Sequence, residues 1–99
     1  MMRLEWSPDA LDDLEAIYDA IAMDDEIAAA RFIDKIRAKA GTLLATPRIG
    51  IRIEELGDDA FRELHYKGYT IIYEIRNKAV RIHEVYNQRR IYIRTYDRE

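Results

Sequence analysis

The hydrophobic period of this chain changes once, at "TPRIG" (residues 46–50), and that change restricts the folds open to it. Before it, apolar residues recur at helical spacing. Ala10, Leu14, Ile17, Tyr18 and Ile21 form one stripe; Ala29, Phe32, Ile33, Ile36, Ala40, Leu43 and Leu44 form a second. Ser7 fits an N-cap, Pro8 the first helical position, and Asp9 the first turn, where the helix dipole favours an anion. Asp24 or Asp25 can cap the second helix, and Thr46 before Pro47 ends it near Ala45. A connection as short as "MDDEI" makes the two helices antiparallel.

Beyond "TPRIG" the alternation is that of strands, expected over residues 51–56, 61–66, 69–75, 80–86 and 91–96. Lys67-Gly68 and Arg76-Asn77-Lys78 carry the turn signals, which makes the middle strands an antiparallel meander. A weak alternation over residues 1–6 predicts a short leading strand. Strands that follow a helix pair, instead of alternating with helices, give an α+β domain. The expected architecture is an N-terminal strand and an antiparallel two-helix hairpin packed on one face of a twisted antiparallel sheet, with the other face open. One domain spans residues 1–99, a length sufficient for a single core.

Composition narrows the chemistry. The chain has no cysteine, which excludes disulfides, thiolate metal sites and a cysteine nucleophile. His65 and His83 are the only histidines and have no helical H-x-x-x-H spacing, so a metal site would need ligands gathered from separate strands. No metal or cofactor is expected. Ser7 is the only serine and is accounted for by capping, and no glycine-rich phosphate loop exists. The carboxylate pairs Asp12-Asp13, Asp24-Asp25 and Asp58-Asp59 read as solvent-facing, capping or loop charges. No stretch approaches the ~20 apolar residues of a membrane span, and no secretory signal pattern is present, so the expected location is the cytoplasm.

The formal net charge of −3 conceals a dipolar distribution. Glu5, Asp9, Asp12, Asp13, Glu15, Asp19, Asp24, Asp25 and Glu26 stand against Arg3 alone at the N-terminal end. Arg76, Lys78, Arg81, Arg89, Arg90, Arg94 and Arg98 stand against Glu84 and Asp97 at the other. A cationic working surface facing an anionic partner fits this distribution. Within "EVYNQRRIYIRTY", Tyr92, Arg94 and Tyr96 share one face if the stretch is extended. Arginine interleaved with tyrosine suits phosphates and stacked bases, and equally a protein interface hot spot.

Four segments together carry a family resemblance. "WSPDALDDLEAIYDAI", "LLATPRIG", "FRELHYKGYTIIYEI" and "IHEVYNQRR", in that order over nearly the whole chain, resemble the RelE/ParE superfamily of bacterial type II toxin-antitoxin toxins. The resemblance implies a helical hairpin on a twisted antiparallel sheet, which agrees with the layout from periodicity. It also implies a cognate antitoxin as partner.

Within that superfamily, RelE-like members cleave messenger RNA on the ribosome with basic residues on the open sheet face. ParE-like members bind DNA gyrase and block its cycle. Here Glu63 would repel a scissile phosphate, and Thr70 stands after "GY", where RelE-like members typically place an arginine with a bidentate fork. Arg62 fits the "R-E-L" pattern of the ParE-like branch, while Asn87 stands where many relatives have histidine. The resemblance therefore implies a non-enzymatic gyrase inhibitor, with Arg62, Arg89, Arg90, Tyr92 and Arg94 facing the target and Tyr86 beside them. The alternative is a ribosome-dependent endoribonuclease using Arg81, Arg89 or Arg90 with Tyr86 or Tyr92. A third reading is an interaction domain that keeps the fold without toxicity.

Overall fold

The computed structural model describes residues 1–88. The chain runs β1 (Arg3–Trp6), α1 (Pro8–Ala22), α2 (Glu26–Gly41), β2 (Ile51–Arg52), β3 (Phe61–Tyr66), β4 (Tyr69–Arg76) and β5 (Ala79–Asn87). The sheet order is β1-β5-β4-β3-β2. β2 to β5 form the expected antiparallel set. β1 joins it in parallel, Arg3 opposite Ala79 through Trp6 opposite Ile82, so the five-stranded sheet is mixed. The expected strand at 51–56 is shorter than the alternation suggested: pairing stops at Arg52, and Glu54–Leu56 form a 3-10 turn closed by Gly57 at φ +63°. The expected strand at 91–96 lies outside the described residues.

The local signals act as predicted. Ser7 caps α1 by accepting the Ala10 N–H at 3.0 Å, with Pro8 as the first helical residue. Asp25 caps α2 by accepting the N–H groups of Ile27 and Ala28. Lys67 and Gly68 both take positive φ, as the right-handed twist of a two-residue hairpin requires. The following turn is Asn77-Lys78, also at positive φ, with Arg76 paired to Ala79.

Both helices lie on one sheet face. Ala10, Leu14 and Ile17 of α1, Ile36 and Ala40 of α2, and Leu43 pack on Ile71, Tyr73, Val80, Ile82 and Val85. Leu64, Tyr69 and Ile75 are partly buried against this core, and Leu44 of the expected stripe is exposed. The alternation of β5 is broken by a bulge. Ile72 faces Glu84 while Tyr73 faces Ile82, so His83 is the extra residue. The core parity of β5 therefore shifts from Val80 and Ile82 to Val85.

The segment after α2 is clasped to the sheet by two side chains. The Tyr73 hydroxyl, fully buried, donates to the Pro47 carbonyl at 2.6 Å and accepts the Gly50 N–H at 2.9 Å. Burial raises its pKa, which keeps it a donor. The Arg62 guanidinium donates to the carbonyls of Arg48 (3.2 Å), Gly50 (3.0 Å) and Asp59 (3.3 Å), and to the Asp59 carboxylate at 2.9 Å. A side chain at Gly50 would strike the Tyr73 hydroxyl and sit 2.8 Å from the Glu63 carbonyl oxygen, so close approach requires glycine there.

Tyr73→Phe leaves the Gly50 N–H without its partner and is expected to cost about 1–3 kcal/mol in urea denaturation at unchanged m-value. Arg62→Lys is expected to destabilise nearly as much as Arg62→Ala, because an ammonium cannot span the three carbonyls and the carboxylate that a planar fork reaches. Comparison of their melting temperatures checks this.

Candidate functional site

The open sheet face can be read from the register. Residues paired across β1, β5, β4 and β3 on the side away from Val80, Ile82 and Ile71 are Arg3, Glu5, Arg81, Glu74, Ile72, Glu84, Phe61 and Glu63. Its arginines and histidines each have a carboxylate beside them. Glu5 lies 3.3 Å from Arg3 and 3.6 Å from Arg81. Glu74 pairs with Arg76 and, at 2.8 Å, with His83, whose ring stacks on Phe61. His65 is 2.9 Å from Glu63. Each histidine thus has a carboxylate partner, and no group of three side chains suited to a metal ion occurs among the described residues.

The sequence-predicted site residues fall into three groups. Arg89, Arg90, Tyr92 and Arg94 lie outside the described residues. Arg81 and Tyr86 are on β5: Arg81 is 41% exposed beside Glu5, and Tyr86 is opposite Thr70. Tyr86 borders a small hollow of about 230 Å³ with Ala16 and Ala20 of α1 and Tyr69 of β4. Arg62 is placed differently from the expectation of a target-facing residue. It pairs with Tyr73 on the helix side of the sheet, its side chain is 13% exposed, and all of its hydrogen bonds go to the loops at 48–50 and 59. Its charge holds the fold.

Asp13, expected with Asp12 to be a solvent-facing charge, turns inward instead. It is half-buried, and its Oδ2 accepts the backbone N–H of Val85 at 2.9 Å. Ser7, read only as a cap, also donates through Oγ to the His83 carbonyl at 3.0 Å. These two bonds occupy the outer edge of β5 just beyond its last pairing with β1, and they end where Asn87 and Gln88 lead into the arginine–tyrosine segment. An aspartate on a polar helix face gives no local signal of a bond to a strand 72 residues away. Asp25 is a cap and Asp58 and Asp59 are loop charges, as expected.

Carboxylates dominate the pH response of the sheet's far end. The Ala60 N–H and Arg76 hold Asp58 below its ordinary 3.8, and Arg48 does the same for Asp59. Arg76 and then His83 hold Glu74 below its ordinary 4.5. Folded-state values that are depressed contribute stability that is complete above the unfolded values and lost as pH falls through the folded ones. The urea midpoint is therefore expected to hold above about pH 5 and decline towards pH 3, and Glu74→Gln is expected to flatten that decline.

Among the described residues no helix is long and apolar enough to cross a membrane. No curated protein sequence matches the chain. Among solved structures, the chromosomal ParDE TA system from P. aeruginosa is similar with a TM-score of 0.74 at 21% identity, over 88% of this chain and 96% of that one. The isolated E. coli RelE toxin is similar with a TM-score of 0.64 at 16% identity, over 99% and 98%. An E. coli RelE mutant in complex with a RelBc antitoxin peptide gives 0.61 at 16% identity, over 95% and 93%. These likenesses establish the shared fold. The family model described as ParE toxin of type II toxin-antitoxin system, parDE, matches residues 4–92, nearly the whole chain. The chain belongs to the ParE toxin family of type II toxin-antitoxin systems, within the RelE/ParE superfamily.

Proposed function

We propose that this toxin acts by binding a DNA gyrase-type topoisomerase through its basic, tyrosine-bearing C-terminal segment, and that a cognate antitoxin neutralises it. The observation that carries this reading is the charge pairing of the open face. Arg3, Arg81, Arg76, His65 and His83 each have a carboxylate within 4.0 Å. A surface that cleaves RNA needs cations aimed at developing phosphate charge, and removing one such group costs a hundredfold or more in rate. Cations already matched by Glu5 and Glu74 are poorly suited to that task, and Glu63 adds a further carboxylate to the face. The target-facing set is then Arg89, Arg90, Tyr92 and Arg94, with Tyr86 at its root and Arg62 removed from it.

An antitoxin that folds on binding would cover the helical hairpin or the open sheet face. The exposed Leu11, Met23 and Ile27 of α1, of the turn after it and of α2 support the helical option. The ParDE system and the RelE–RelBc complex among the similar structures support an antitoxin partner in general. With gyrase as target, the site of action is the cytoplasm.

Purified toxin, separated from its antitoxin, is expected to inhibit gyrase supercoiling of plasmid DNA and to leave translated messenger RNA intact. Replacing Arg89, Arg90, Tyr92 or Arg94 with alanine is expected to raise the half-inhibitory concentration about tenfold or more, with the melting temperature unchanged. Codon-linked cleavage with normal supercoiling would sink the proposal in favour of a ribosome-dependent nuclease using Arg81 and the same C-terminal residues. Neither effect would favour a non-toxic interaction domain.

A further inference from the structure

Side chains of α1 close the outer edge of β5 beyond Ile82, but the outer edge of β1 itself carries no further strand among the described residues, because β1 ends the strand order. The Arg3 N–H bonds to the Lys78 carbonyl and the Ser7 N–H to the Ile82 carbonyl, so the odd-numbered residues of this stretch turn their backbone towards β5. Met2, Leu4 and Trp6 turn theirs away from the sheet. Their side chains pack against the core from the helix side and are only partly buried. Arg3 and Glu5 stand on the open face, with side chains 62% and 38% exposed.

An open strand edge is a template for another strand, and natural proteins commonly blunt one with charge. Here the edge reads Met2-Arg3-Leu4-Glu5-Trp6, which is complementary to its own reverse. In two copies placed antiparallel about Leu4, Arg3 of each stands opposite Glu5 of the other, Met2 opposite Trp6, and Leu4 opposite its own copy. The opposite-charge pairs then lie on the open face and the apolar pairs on the helix face, while the outward N–H and C=O groups of Met2, Leu4 and Trp6 meet in hydrogen-bonded pairs. Glu5 already lies 3.6 Å from Arg81, so Arg81, Glu5 and Arg3 of the second copy fall in one row across three strands. Neighbouring registers that keep the faces continuous fail on charge: centring on Glu5 sets Glu5 against Glu5, and centring on Arg3 sets Arg3 against Arg3.

We propose that β1 is a self-association surface: two copies of this chain join edge to edge through residues 2–6, antiparallel and centred on Leu4, so that their five-stranded sheets continue as one. The inference does not depend on the gyrase reading. Both helical hairpins lie on one face of the joined sheet, and the two open faces lie side by side on the other. An edge this short falls below the ~800 Å² per partner of a standard interface, so the dimer forms at about 10–100 μM toxin.

Sedimentation equilibrium of the purified full chain is expected to show monomer and dimer exchanging in that range. Arg3→Glu and Glu5→Arg each bring like charges together across the axis, and each is expected to raise the dissociation constant about tenfold or more. The double variant Arg3→Glu/Glu5→Arg restores opposite charges in the same register and should return the constant to within about threefold of the wild-type value. If Glu5→Arg does not fold beside Arg81, Leu4→Cys is the second variant, since the axis places this position next to its own copy. The chain has no cysteine, so a short bis-maleimide should link Leu4→Cys into dimers and leave Leu11→Cys on α1 monomeric.

A toxin that stays monomeric throughout, a dimer indifferent to Arg3→Glu, or a double variant as weak as the single ones overturns the proposal, as does linkage at Leu11→Cys in place of Leu4→Cys. A monomer whose affinity for the antitoxin falls with Arg3→Glu overturns it in favour of an antitoxin strand at the same edge.

Discussion

β5 is longer than the strand that covers its outer edge, and the molecule is organised around that mismatch. β1 bonds it as far as Ile82 and then turns into α1, whose first two turns present Ser7 and Asp13 to the next two polar groups of the same edge. Left bare inside the helix–sheet junction, the His83 carbonyl and Val85 N–H would each carry the cost of an unmade buried hydrogen bond, about 1–3 kcal/mol. Ser7 has two duties at one oxygen, accepting from Ala10 to start the helix and donating to His83 to seat it on the sheet. Helix initiation and helix docking therefore share an atom.

The other end of the sheet uses the same device with different chemistry. Where β2 is only two residues long, Tyr73 and Arg62 reach up from β4 and β3 and satisfy the backbone between Pro47 and Gly50. Short edge strands limit edge-to-edge association, and here the shortness is compensated by side chains in place of further backbone pairing. The sheet is thus closed at one side by α1 and at the other by a clasped loop, and its open face is left to ion pairs centred on Glu5 and Glu74 and to the contact of Glu63 with His65.

Much of this was legible because it is local. Ser7-Pro8, the Asp25 cap, the hairpin at Lys67-Gly68 and the two apolar helical stripes each depend on neighbours within one turn. The parts that were not legible depend on partners far along the chain. Parallel pairing of β1 with β5 has no signature in either strand. The bulge at His83 reverses the inward parity of β5, so the alternation read from Val80 onward gives the wrong face for Glu84 and Val85. Arg62 in an alternating strand reads as surface charge, because the carbonyls it holds lie 12 and 14 residues upstream. Asp13 beside Asp12 reads as one more solvated acid for the corresponding reason, its partner lying on β5.

The pairing of β1 with β5 also orders events during synthesis. A ribosome delivers β1 and the helical hairpin first, and the strand that receives both only after β2, β3 and β4, with Ser7 and His83 joined across a separation of 76 residues. Contacts of such long range form late, after loop-closure entropy has been overcome. A nascent chain halted before β5 has no edge for β1 and lacks the floor that Val80, Ile82 and Val85 give the α1 stripe. Truncated products that lack β5 therefore cannot close the core, and β1 and the helical hairpin stay undocked until that strand has been laid down.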